Sequence, residues 1–309
     1  KLYFEFMKFK LKDINNLYKK HILYYCGGFL LCILYSTYGL PVLENILPIC
    51  FLLILLIGIS HGALDHEKGK KLFKIYKINN IFYFYLSYIL IAILVTLLWY
   101  KFPTFTLVLF LCLASYHFGK EDSIFSNTNN LVLFTIKGSC IIFAPIFINY
   151  EETLNIFSLL NANNDIFNGF LNFFEPNNMK LFLIFIIFYL LINFLIYGLY
   201  LQLLGLIDLI VIFVLNSLFS TIFAFTFYFC FMHSIRHIIS MILEEKITIS
   251  AFIMKAMPLT LLTGITFITS GWIIALNNFT LDEAIIQVIF IGLASLTFPH
   301  ILLEYLLEK

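Results

Sequence analysis

The sequence predicts an all-α, polytopic integral membrane bundle of about ten transmembrane helices (eight to ten). Three observations predict it. Of the 309 residues, 61% are hydrophobic and only 12% are charged, about half the charged share of a soluble globular chain. Apolar runs near the ~20 residues that a spanning helix requires fill almost the whole chain. The breaks between those runs carry the Pro, Gly and Asn residues that punctuate helices.

Residues 1–20 are Lys-rich and interleaved with Phe, Tyr and Leu, so they read as an N-terminal interfacial segment. Residues 21–309 read as a single transmembrane helical domain. Its apolar runs fall at about 21–40, 44–66, 80–101, 104–121, 131–149, 180–203, 206–219, 220–243, 256–277 and 283–307. Pro41, Asn79, Asn80, Pro103 and the Asn127 to Asn130 cluster mark the early breaks. The polar stretch 150–179 reads as the one long loop. It carries Glu151, Glu152, Asp165 and Glu175 but no Lys or Arg, as an external loop does. Residues 204–243 are too long for one span. They read as two helices with a tight turn near Asn216 to Thr221, the first short for a full crossing.

Charge sets the count and the orientation. With a cytoplasmic N-terminus and ten crossings, most of the 19 basic residues lie on the cytoplasmic side of the cell membrane. The C-terminus is then cytoplasmic too. A net charge of +1 gives no basis for nucleic-acid binding. The six cysteines show no CxxC spacing and sit in apolar runs, which excludes a disulfide or thiolate-zinc framework. No small-residue cleavage site follows the first apolar run, so a removable signal peptide is not expected.

Six of the seven histidines fall in four motifs. His61 and His66 lie in HGALDH, His117 in SYHFGKED, His233 and His237 in HSIRH, and His300 in FPHILLE. In the ten-helix scheme these motifs end helices 2, 4, 8 and 10, all of which run inward, so all four meet in the cytoplasmic half of the bilayer. The basic residues, not the histidines, chose that scheme. His233 and His237 are four apart and can grip one metal ion from one helical face. His61 and Asp65, and His300 and Glu304, have the same spacing, so each carboxylate is expected to accept its own histidine's second N–H. Ionisable groups inside a membrane mark function. The candidate metal-binding and catalytic residues are therefore His61, His117, His233 and His237. Asp65, Tyr116, Asp122, Arg236, His300 and Glu304 are candidates for supporting contacts or cavity walls. Arg236 is expected to snorkel or to pair with Asp65, Asp122 or Glu304. His21 reads as interfacial, His66 as facing elsewhere, and Asp208 as a helix N-terminal charge. All-imidazole ligation suits iron, copper, nickel or zinc, and an apolar bundle suits a lipid-soluble substrate.

The four motifs in this order resemble the Brp/Blh family of membrane β-carotene 15,15′-dioxygenases, from about residue 58 to the C-terminus. The resemblance implies a non-haem Fe(2+) held by His61, His117, His233 and His237, with His300 and Glu304 in the family's terminal PH motif. It implies cleavage of β-carotene by dioxygen at the central double bond, giving two molecules of retinal, and a functional link to a retinal-binding rhodopsin. Aromatic residues such as Tyr116, Phe118, Phe229, Phe231 and Phe298 are candidates to line the slot. Three other readings compete, one of them a haem-binding membrane cytochrome, which would pair histidines on facing helices although the chain has no CxxCH. A membrane di-iron hydroxylase or desaturase generally needs about eight histidines, often with HH pairs, and this chain has seven and no HH. A non-enzymatic carotenoid-binding or transport protein could carry the same motifs.

Overall fold

The computed structural model describes residues 2–38, 46–122, 131–172, 186, 187, 191 and 207–308. The described residues form helices and no strand. In a bilayer this is the economical solution, because a helix satisfies its backbone N–H and C=O groups within itself. Helix α1 spans Leu2–Thr37 and crosses residue 20 without a break. Helix α2 (Ile46–Leu53) runs on through a π turn, Ile54–Gly58, and a 3₁₀ turn, Ile59–Gly62, into α3 (Asp65–Ile75). Next come α4 (Phe82–Lys101), α5 (Pro103–Glu121) and α6 (Leu131–Ile148). The short α7 (Tyr150–Leu159), α8 (Asp165–Leu171) and α9 (Ile207–Leu218) follow. Helix α10 (Thr221–Phe227) passes through a second π turn, Tyr228–Ser234, into α11 (Ile235–Glu245). Helices α12 (Ile249–Leu276) and α13 (Leu281–Glu308) complete the chain.

Five continuous helical stretches among the described residues are long and apolar enough to cross a membrane: Ile46–Ile75, Phe82–Lys101, Thr221–Glu245, Ile249–Leu276 and Leu281–Glu308. The chain is thus a helical membrane protein. The expected run at 180–203 lies almost wholly outside the described residues. The 204–243 stretch is split between Leu218 and Thr221. There Ser220 leaves helical geometry, and its Oγ accepts from the Phe223 amide at 3.3 Å, an N-cap. Glu152 strengthens the same helix start, accepting from the Thr221 amide at 2.9 Å and its hydroxyl at 3.1 Å.

The expected long loop at 150–179 is corrected in its described part, which holds α7 and α8. Their apolar spacing explains why: Tyr150, Ile156, Phe157, Phe167 and Leu171 are all buried. The carbonyls ending α7 are met from other helices, Leu159 by Gln287 Nε2 at 3.0 Å and Leu160 by Trp99 Nε1 at 3.3 Å.

Helices α5 and α6 pack through small residues. A Cβ on Gly119 would stand 1.7 Å from the Phe134 carbonyl oxygen, and one on Gly138 would stand 1.6 Å from that of Ser115. Only glycine permits this backbone approach, the usual device where lipid gives no hydrophobic drive to helix pairing. Ser115 Oγ and Ser139 Oγ, 2.9 Å apart, tie the seam. It fixes the end of α5 that bears His117.

Candidate metal centre

The five central histidines come from four separate stretches. His61 sits on the 3₁₀ turn after the first π turn, His117 on α5, His233 in the second π turn, His237 on α11 and His300 on α13. Both π turns lie at the point of approach, and π turns commonly occur where a helix is re-aimed at a functional site. Gly58 lets them meet, since a Cβ there would lie 2.6 Å from the Phe229 ring. The second π turn frees the Phe231 carbonyl to accept from His21 Nε2 at 2.7 Å. His21 is therefore buried against that turn, not interfacial as expected.

The rings converge. The His61 centroid lies 5.4 Å from each of His233, His237 and His300. His117 lies 5.1 Å from His233 and from His300, and His237 lies 5.3 Å from His300. Ligand atoms of His61, His117 and His300 fall within 4.8 Å of one another, as do those of His237, His300 and Glu304, and those of His117, Glu121 and Glu304.

Each ring turns its Nδ1 outward to an oxygen. His300 Nδ1 donates to Asp65 at 2.8 Å and His237 Nδ1 to Glu121 at 3.0 Å. His61 Nδ1 donates to the Gly58 carbonyl. His117 Nδ1 lies 3.5 Å from Glu304 and His233 Nδ1 lies 3.6 Å from Asp122. On the other edge, the Nε2 atoms of His117, His233, His237 and His300 are buried with no hydrogen-bond partner. A buried polar nitrogen without a partner is costly, and four of them on rings whose centroids lie 5.1–5.4 Å from a neighbouring imidazole offer a donor set. Carboxylates behind ligand imidazoles fix tautomer and orientation. The residues present therefore fit a metal ion.

A further layer of buried charge holds the carboxylates. Lys68 donates to Glu304 at 2.7 Å, and the Tyr88 hydroxyl donates to Asp65 at 2.9 Å. The Tyr228 hydroxyl donates to Asp122 at 2.7 Å. Arg236 makes a two-pronged pair with Asp208, at 2.9 and 2.6 Å, and lies 3.5 Å from Asp122. The Tyr25 hydroxyl also donates to Asp208, at 2.6 Å. Lys137 donates to the Asp122 carbonyl at 2.6 Å. Burial of these charges is tolerable because each is paired.

Several expectations are corrected. Asp65 serves His300, not His61; Glu304 does stand near its own His300, 3.7 Å from Nε2, but lies closer to His117 and Lys68. The exchange has a local cause. The 3₁₀ turn and the Ala63–Leu64 turn break the helical phase between His61 and Asp65, so four-residue spacing no longer means one face. Arg236 does pair with Asp122, one of the expected partners, but it pairs chiefly with Asp208 and is buried, not snorkelling. Asp208 does lie near the start of α9, yet its role is long-range. His66 turns away, its Nδ1 donating to Ala63 at 3.1 Å. Tyr116 is half-buried, and the neighbour that meets the rings is Phe118, 4.6 Å from His233. Glu121, Lys68, Tyr88 and Tyr228 were missed as site residues. Glu121 alone had a sequence signal, standing four residues after His117.

Behind Phe118 and Tyr228 lies an apolar cavity of about 70 Å³, also walled by Phe110, Phe157, Phe225 and Phe290. The profile of the family described as beta-carotene 15,15′-dioxygenase matches residues 52–308, which takes in all five histidines. The chain belongs to the β-carotene 15,15′-dioxygenase family. A curated member of that name, from uncultured marine bacterium 66A03, is 30% identical over an alignment of 275 residues covering 81% of this chain and 90% of the relative. No solved structure matches the chain. Membership in the β-carotene 15,15′-dioxygenase family makes the chain an oxidoreductase.

Proposed function

We propose that this chain cleaves β-carotene at its central 15,15′ double bond with dioxygen, giving two molecules of all-trans-retinal, at an iron(II) held by His61, His117, His233 and His237. The observation that carries the reading is the set of buried imidazole nitrogens of His117, His233 and His237 without hydrogen-bond partners, with carboxylates behind these rings and the His61 ring 5.4 Å from two of them. Iron bound there supplies the activation of dioxygen. Everything else falls to the chain. Glu121, Asp122 and Glu304 orient their imidazoles, and Lys68 holds Glu304 in place. Phe118 and Phe229 stand against His233, at 4.6 and 6.0 Å between centroids, and exclude water from it. The apolar cavity next to Phe118 receives part of a polyene that enters sideways from the bilayer.

The same reading includes ten crossings, cytoplasmic termini, a site in the cytoplasmic half of the cell membrane, and delivery of retinal to a rhodopsin. A two-iron hydroxylase is less well supported, because the ammonium of Lys68 already engages Glu304 among the carboxylates. The test is expression in β-carotene-producing bacterial cells with chromatography of the pigments. Retinal is expected from the intact chain and not from His233→Ala. Iron-loaded, folded protein that leaves β-carotene untouched would overturn the substrate assignment.

A further inference from the structure

Helix α13 brings two potential donors to the cluster, His300 and Glu304, one turn apart. Their surroundings give them different parts. Glu304 is engaged on both oxygens: Oε1 accepts from Lys68 Nζ at 2.7 Å, and Oε2 lies 3.5 Å from His117 Nδ1. His300 is hydrogen-bonded on one edge only, with Glu304 Oε1 standing 3.7 Å from the other. Its Nδ1 lies 2.9 and 2.8 Å from the two oxygens of Asp65, so that nitrogen carries the proton. Asp65 is itself fixed by the Tyr88 hydroxyl. The lone pair of His300 therefore sits on Nε2, which is buried and without a hydrogen-bond partner. His300 and Glu304 each belong to two of the three groups whose ligand atoms crowd within 4.8 Å, so the difference between them lies in the Lys68 ammonium that already holds Glu304. Nitrogens sharing one metal ion stand up to about 4.2 Å apart, a contraction that small ring rotations supply.

We infer that His300 is a fifth imidazole ligand of the metal, oriented by the Asp65–Tyr88 pair, while Glu304 positions His117 without ligating. This rests on the proposed metal centre. Five nitrogens would leave one position of a six-coordinate ion to small molecules, not two.

The test uses the full chain in detergent, loaded with cobalt(II) alone as a visible probe of coordination. The intact protein is expected to bind one cobalt per chain with the weak absorption of a five- or six-coordinate ion. His300→Gly is expected to release cobalt about tenfold faster or more, to show an altered visible spectrum, and to regain the original spectrum with added imidazole. X-ray absorption on the intact cobalt protein serves if that variant fails to fold: five imidazoles support the assignment and four overturn it. An unchanged spectrum in folded His300→Gly also overturns it. Failure of the intact chain to bind cobalt or iron would instead bring down the metal centre itself.

Discussion

Two consecutive helical stretches, Thr221–Glu245 and Ile249–Leu276, meet the same test for crossing a membrane and do opposite jobs. The most apolar windows have mean hydropathies of 1.4 and 1.8, yet 67% of the first and 17% of the second is buried in the protein. The difference lies in where their polar groups go. On the second, Thr260, Thr266 and Thr269 donate to carbonyls of their own helix, so the helix can face lipid. On the first, Arg236 and His237 reach side chains 28 and 116 residues away in sequence. Hydropathy finds a helix that belongs in a bilayer. The destination of its polar side chains decides whether lipid or protein surrounds it.

The sharpest way to break this contrast is Arg236→Leu. It removes the two-pronged partner of Asp208, leaving that buried carboxylate only the Tyr25 hydroxyl and Lys137 at 3.6 Å, and is expected to destabilise the protein by about 3 kcal/mol. Adding Asp208→Leu should recover much of that loss, since the unpaired charge goes with it. Thermal unfolding in detergent reads both, and a single variant as stable as the parent would mean the pair is not buried. Gly138→Leu tests the seam between α5 and α6. The new side chain meets the Ser115 backbone, which cannot swing aside. We expect a loss of about 1–3 kcal/mol, measured by the same melts, with less folded protein recovered. The smallest effect belongs to α12. Ile265 is 58% exposed, and Ile265→Ala should stay within about 0.5 kcal/mol. A larger loss would show that protein, not lipid, covers that face.

Much of this was legible in the sequence because the bilayer imposes a simple length rule. The runs at 80–101 and 283–307 coincide with α4 and α13 almost to their ends, and the run at 256–277 matches the end of α12 but misses its first two turns from Ile249. The four histidine motifs do meet in space. Pairing within the site was not legible. Four-residue spacing assigned Asp65 to His61, but turns at residues 54–64 changed the phase, and His300 claimed that carboxylate from 235 residues away. Lys68 looked like one of a run of inner-surface lysines, and nothing local distinguished it from Lys70 or Lys71. Helices α7 and α8 were hidden by their Asn and Glu content, which suits a loop equally well. Their burial depends on Trp99 and Gln287, supplied from other helices.

The charged layer around the histidines carries one more consequence, in electroneutrality. Asp65, Glu121, Asp122, Asp208 and Glu304 face Lys68, Lys137 and Arg236. With neutral imidazoles, five carboxylates against three cations leave this interior at a formal charge of −2. A divalent ion cancels that excess, whereas a monovalent or trivalent one leaves a net charge in a medium that solvates it poorly. A divalent ion at the proposed centre would therefore be favoured by valence as well as by ligand type, and its loading would help to stabilise the fold.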